Sequence, residues 1–199
     1  IVDPELMYSM PKGLTAATGM DALTHAIESY ITPGAWAMSD MFELKAIEMI
    51  AQNLKAAVDN GKDTAAREAM SQAQYIAGMG FSNVGLGIVH SMAHPLGAFY
   101  DTPHGVANAL LLPYVMEYNA ESPAAPKYIR IAEAMGVDTE GMTEAEGVKA
   151  AIEAVKALFL SINIPQKLHE INVKEEDIPA LAVAAFNDVC TGGNPRPTS

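Results

Sequence analysis

Cysteine is almost missing from this sequence. Cys190 is the only one, so no internal disulfide can form, and the usage fits a reducing, cytoplasmic compartment. Basic charge is scarce as well: Lys and Arg total 12 against 24 Asp and Glu, a formal net charge of -12. So acidic a surface repels phosphate backbones and anionic headgroups, and neither nucleic acid nor a membrane is expected as a partner. No apolar run approaches the roughly 20 residues of a membrane span, and no signal-peptide pattern opens the chain. Alternating runs of strand type are missing too, as is the Gly-x-Gly-x-x-Gly fingerprint of a dinucleotide fold. The nearest approaches, Gly78-x-Gly80 and Gly85-x-Gly87, follow no strand and read as close helix packing.

What remains is a helical protein. Half of the 199 residues are hydrophobic and 18% are charged, enough to fold around a sizeable core as one domain. Apolar residues at helical spacing predict helices over 15–31, 40–58 (with Ser39 as its cap), 64–79, 84–94, 105–117 and 127–135. Thr143 and Glu146 form a capping box that starts a helix ending at about Ser161. Asp177 and Pro179 start the last, to about Val189. The expected fold is an all-α bundle of seven to nine helices. The segment over 105–117 is almost wholly apolar and should run through the core. Trp36 reads as a packing anchor at a helix junction, the twelve methionines as core filler, and His169 as a surface residue. Ile1-Val2-Asp3-Pro4 reads as the exit of a preceding element, and the loop-like stretch from Thr191 to Ser199 ends abruptly. The chain is therefore read as a piece of a longer protein.

Histidine is rare but crowded. Three of the five histidines, His90, His94 and His104, fall within HSMAHPLGAFYDTPHG. His90 and His94 share a helix face at i, i+4, and His104 opens the next helix. On another helix Asp21 and His25 are also i, i+4. Buried imidazoles need partners, and for so many in one place the economical partner is a metal ion. Imidazoles with one carboxylate suit Fe(II), Zn(II), Co(II) or Ni(II) rather than Ca(II) or Mg(II). No thiolate cluster points to a closed structural zinc site. Three imidazoles and one carboxylate around a divalent ion leave a net charge of +1, which favours a bound alkoxide or a polarised carbonyl.

At these residues the sequence resembles a known family. TAATGMDALTHAIESYIT (Thr15 to Thr32) and GMGFSNVGLGIVHSMAHPLGAFYDTPHGVANALLLPYVMEYN (Gly78 to Asn119) are similar to the two signatures of the iron-containing (group III) alcohol dehydrogenases. The likeness extends over nearly the whole chain, through Asp188-Val189-Cys190-Thr191-Gly192-Gly193-Asn194-Pro195. The resemblance implies a metal site made of Asp21, His25, His90 and His104, with Fe(II) or Zn(II), and NAD as the second cofactor. It implies that His94 is no ligand but serves proton transfer, and that His94 and His104 lie beside the nicotinamide. Phe81 and Cys190 match positions lining the substrate pocket, for a small alcohol or aldehyde.

The resemblance also implies two domains, an N-terminal nucleotide-binding one and a C-terminal helical one of the dehydroquinate synthase-like type. Residues 1–199 match only the second, so the chain alone is expected to be inactive and the complete protein a homodimer. Two other enzyme classes fit less well. Metal-dependent phosphohydrolases need a His-Asp doublet, and no histidine here precedes Asp. The dehydroquinate synthase and glycerol dehydrogenase group has a different ligand pattern. A non-catalytic reading also stands, in which the domain is an assembly module and its metal purely structural.

Overall fold

A computed structural model describes residues 2–198. Ile1 and Ser199, at the two ends read above as loop-like, lie outside the described residues. The described residues form eight α-helices and five short 3-10 turns, with no strand among them. The helices are α1 (Lys12–Ile31), α2 (Ala37–Asp59), α3 (Thr64–Val84), α4 (Ile88–Tyr100), α5 (His104–Asn119), α6 (Tyr128–Ala134), α7 (Glu144–Ser161) and α8 (Ile178–Phe186). No helix among the described residues is long and apolar enough to cross a membrane.

Helix α1 is the axis of the fold. Fourteen of its twenty residues are buried, and it packs against α2, α3 and α5. Short connections, 32–36 and 60–63, turn each long helix back on the one before it. Helix α5 is buried at Ala107 through Pro113 and again at Val115 and Met116, as its apolar sequence requires. Helix α4 lies between α5 and α8, while α6 and α7 close the far side. One continuous core runs through all of these. The Thr143 capping box forms as expected, with Glu146 Oε2 accepting from the Thr143 amide at 2.8 Å.

Several boundaries differ from expectation. Ser39 is not the cap of α2. It sits inside the first turn, accepting the Trp36 amide and donating to the Trp36 carbonyl, both at 2.9 Å. Trp36 is 54% exposed and anchors no core. Helix α3 runs on to Val84 and stops at Gly85, whose φ of 85° an L side chain rarely adopts. Helix α4 continues through Pro95 to Tyr100. The lost backbone hydrogen bond is offset by burial of Pro95 and Leu96. Helix α8 ends at Phe186, three residues early, where the chain turns into the Asp188 loop. Of the paired glycines, Gly80 and Gly87 do mark close packing, against Glu43 and Glu28, whereas Gly78 and Gly85 do not. The methionines divide: Met20, Met70 and Met116 are core, while Met38, Met41 and Met92 are exposed.

Glu43 was not singled out by the sequence and is fully buried on α2. A side chain at Gly80 would occupy its carboxyl: an added Cβ would lie 1.9 Å from Oε1. Oε1 is 2.6 Å from Ser29 Oγ, which is itself 2.5 Å from the His25 carbonyl. Ser29 has one proton, and the carbonyl can only accept it. Shared between that carbonyl and Glu43 Oε1, the Ser29 proton gives the carboxylate only weak support. Burial accordingly pushes the carboxyl up to about 8. The folded chain then holds a proton that the unfolded chain releases near 4.5. Stability must fall as pH rises between those values, by at most about 1.4 kcal/mol per pH unit. Urea midpoints of wild type should drop between pH 5 and 8, and Glu43→Gln should flatten that dependence. Identical pH profiles for the two proteins would show that Glu43 holds no such proton.

Candidate metal centre

Three elements bring the candidate residues together. Asp21 and His25 lie one turn apart on α1, His90 in the first turn of α4, and His104 at the first position of α5. One ligand atom each from Asp21, His90 and His104 lies within 4.8 Å of the other two. Asp21 Oδ1 stands 3.8 Å from His90 Nε2 and 3.5 Å from His104 Nε2. His25 joins through its ring, centred 4.3 Å from that of His90 and 4.5 Å from Phe81. Its Nδ1 is 2.7 Å from the Asp21 carbonyl. It must donate there, so Nε2 keeps the lone pair.

The tautomer of His90 is fixed by a residue absent from the sequence-based set. Glu28 is 2% exposed, and its Oε2 lies 2.5 Å from His90 Nδ1. Its Oε1 accepts the Val89 amide at 2.7 Å, in the first turn of α4. Nδ1 of His90 therefore carries the proton and Nε2 faces Asp21 with a free lone pair. Carboxylates behind metal-binding imidazoles act in this way. A signal for Glu28 was present: Asp21, His25 and Glu28 follow i, i+4, i+7 on one face of α1.

Asn108, one turn after His104, supplies the test of fit. Its Nδ2 is 2.6 Å from Asp21 Oδ1, 3.1 Å from His90 Nε2 and 3.0 Å from His104 Nε2. An amide nitrogen has two protons, and three acceptors converge on it. Its Oδ1 is buried without a partner. Electron pairs thus outnumber the protons between them, which is the arrangement a divalent cation satisfies. Burial lowers the affinity of His25 and His104 for a proton, and the neighbouring His90 lowers it further at both. Neutral imidazoles are the ligand form.

His94 stands apart from the convergence point. Its ring stacks on that of His104, centroids 5.5 Å apart and planes 12° apart. Its Nδ1 is 2.7 Å from Asp188 Oδ2, and Asp188 Oδ1 accepts the Cys190 amide at 2.9 Å. Phe81 and Cys190 fall on different sides. Phe81 lines a cavity of about 370 Å³ with Asp21, His25, Met70 and Arg67. Cys190 instead lies with His94 and Asp188, and burial beside Asp188 pushes its thiol up to about 11.

Arg67, also unforeseen, closes the far end of that cavity. It is fully buried and donates to the Gly61 carbonyl at 3.0 Å, Thr15 Oγ1 at 2.8 Å and the Met10 carbonyl at 3.1 Å. It fastens the chain before α1 to the loop before α3. Nothing in its local sequence distinguished it from a surface arginine of α3.

Known proteins resemble the chain in sequence and in fold. The model of the Fe-containing alcohol dehydrogenase family, C-terminal, matches residues 15–199. The lactaldehyde reductase of Escherichia coli (strain K12) is 60% identical over 195 residues, which are 98% of this chain and 50% of that protein. The NAD-dependent methanol dehydrogenase of Bacillus methanolicus is 46% identical over 196 residues, 98% of this chain and 51% of that protein. The crystal structure of a 1,3-propanediol oxidoreductase superposes with a TM-score of 0.97 at 47% identity, covering 99% of this chain and 51% of the other. The chain thus spans about half the length of the relatives it matches. Signatures, helical fold and superposition agree: the chain belongs to the iron-containing alcohol dehydrogenase family, in its C-terminal part.

Proposed function

We propose that Asp21, His25, His90 and His104 hold one divalent ion, Fe(II) or Zn(II). In this reading the centre serves an NAD-linked alcohol dehydrogenase or aldehyde reductase of the lactaldehyde-to-1,2-propanediol type. The observation that carries the reading is the convergence of Asp21 Oδ1, His90 Nε2 and His104 Nε2 on one amide nitrogen. The 60% identity to a lactaldehyde reductase supports the substrate class. Bound by these four residues, the metal would supply Lewis-acid polarisation of an alcohol or carbonyl oxygen, and NAD would supply the hydride acceptor or donor.

The chain's own residues do the rest. Glu28 holds the His90 lone pair toward the site. Asp188 holds the proton of His94 at Nδ1 and leaves Nε2 open to accept or release one. His94 and His104, stacked and about four-tenths exposed, offer a face to the nicotinamide. Phe81 walls the cavity with an apolar surface suited to a short carbon chain, and Cys190 lies on the His94 side. The nucleotide is held by an N-terminal domain of the same protein, so residues 1–199 alone are inactive. The complete protein is a cytoplasmic homodimer in this reading.

In the full-length enzyme, His104→Ala should lose metal and turnover together, by more than about 100-fold, beyond the cost of losing an outer partner. Full metal content with full turnover would overturn the ligand assignment. Chelation should leave the helix content in place, because one continuous apolar core holds the helices together without an ion. Unfolding on chelation would point instead to a structural ion.

A further inference from the structure

A second group of ligating side chains lies next to the first. One ligand atom each from His94, Asp188 and Cys190 falls within 4.8 Å of the other two. We propose that these three residues form a second metal site, distinct from the Asp21–His90–His104 centre and selective for Zn(II), Co(II) or Cd(II).

The site is built rather than fortuitous. Asp188 and Cys190 stand two residues apart in the turn after α8, and that turn is pinned to the helix that carries His94. Thr191 Oγ1 lies 2.8 Å from Ser91 Oγ and donates to the Ala185 carbonyl at 2.7 Å. Asn194 and Asn119, both buried, exchange amide hydrogen bonds at 2.7 and 2.9 Å. Gly193 passes so close to the Leu86 carbonyl that a Cβ would lie 2.0 Å from its oxygen. Ligands held by such supports do not have to be ordered when a cation arrives. His94 Nδ1 and Asp188 Oδ2 are already 2.7 Å apart, so only small shifts are needed to enclose an ion.

Chemistry sets the selectivity. A thiolate, an imidazole and a carboxylate suit borderline and soft ions and exclude Mg(II) and Ca(II). Binding releases one proton, from the Cys190 thiol to water, while the imidazole stays neutral because its proton passes from Nδ1 to Nε2, freeing the Nδ1 lone pair for the ion. Thiolate, carboxylate and a divalent ion then sum to zero charge, which lowers the cost of partial burial. Three protein ligands leave a position open to water, as in exchangeable rather than structural zinc sites.

Because Cys190 is the only cysteine, any thiolate-to-metal charge-transfer band reports this site alone. The test is a titration of the chain with Co(II), without oxygen. A near-ultraviolet band should saturate at about one ion per chain beyond that taken by the first centre. It should persist in His90→Ala, vanish in Cys190→Ser, and require at least about 10-fold more Co(II) in Asp188→Asn. Zn(II) should also slow alkylation of Cys190 in the wild-type chain, a readout that needs no variant. Absence of the band with Cys190 shown to be reduced would overturn the site. So would a band that titrates identically after Asp188→Asn, since the thiol would then bind alone. Neither failure touches the first centre, whose occupancy is read in Cys190→Ser.

Discussion

Glu28→Gln should weaken Fe(II) or Zn(II) binding by about 10- to 100-fold, the usual cost of losing an outer carboxylate, while the helices stay folded. The carboxylate serves two donors at once, the Val89 amide and His90 Nδ1. Glutamine has one oxygen and cannot serve both. If its oxygen stays with Val89, its amide nitrogen faces His90 Nδ1. That nitrogen must then accept, which moves the imidazole proton to Nε2, the atom that faces Asp21. A protonated Nε2 has no pair to give a metal. If the amide is flipped, two donors meet at Val89 in the first turn of α4. Competition with a chromophoric chelator measures the affinity directly. Unchanged affinity would mean that His90 is oriented by something other than Glu28.

Gly105→Ala should lower the melting temperature by about 6–12 °C, from a penalty at the upper end of overpacking, about 3 kcal/mol. An added Cβ would lie 2.2 Å from the Ala17 carbonyl oxygen and 2.6 Å from its carbon. Both partners are backbone, one in α1 and one in α5, so no rotamer can relieve the contact. The two helices must separate, and His104 moves with α5 away from Asp21. Thermal unfolding followed by circular dichroism tests the stability loss, and metal content of the surviving folded protein tests the coupling. A melting temperature within about a degree of wild type would show that α1 and α5 yield easily.

The helical architecture was legible because its signals are local. Periodicity placed six of the helices and cap signals the last two, and the Thr143 capping box and the stop at Ser161 depend on residues a few positions apart. Boundaries slipped where tertiary packing outweighed a local rule, as at Pro95, whose burial carries α4 through a helix-breaking residue. The ligand candidates were legible by residue type and i, i+4 spacing, since histidine is rare here and crowded. Their supporting shell was legible only in part. Glu28 shares a face of α1 with Asp21 and His25, but its partner His90 is 62 positions away. Arg67 reaches Thr15 across 52 positions, and Glu43 earns its unusual proton only because Gly80 leaves room for its carboxyl. Asn108 was within reach, one helical turn from His104, but asparagine in an apolar helix gives no sign of what it faces.

The most direct test of the central claim is metal content, measured by elemental analysis of the chain reconstituted with Fe(II) without oxygen. Cys190→Ser should serve as the background, so that only the first centre is counted. The account predicts about one ion per chain, reduced to near zero by a further His90→Ala. A chain that binds no iron under these conditions, or binds it equally well without His90, would contradict the assignment of Asp21, His25, His90 and His104 as a metal centre.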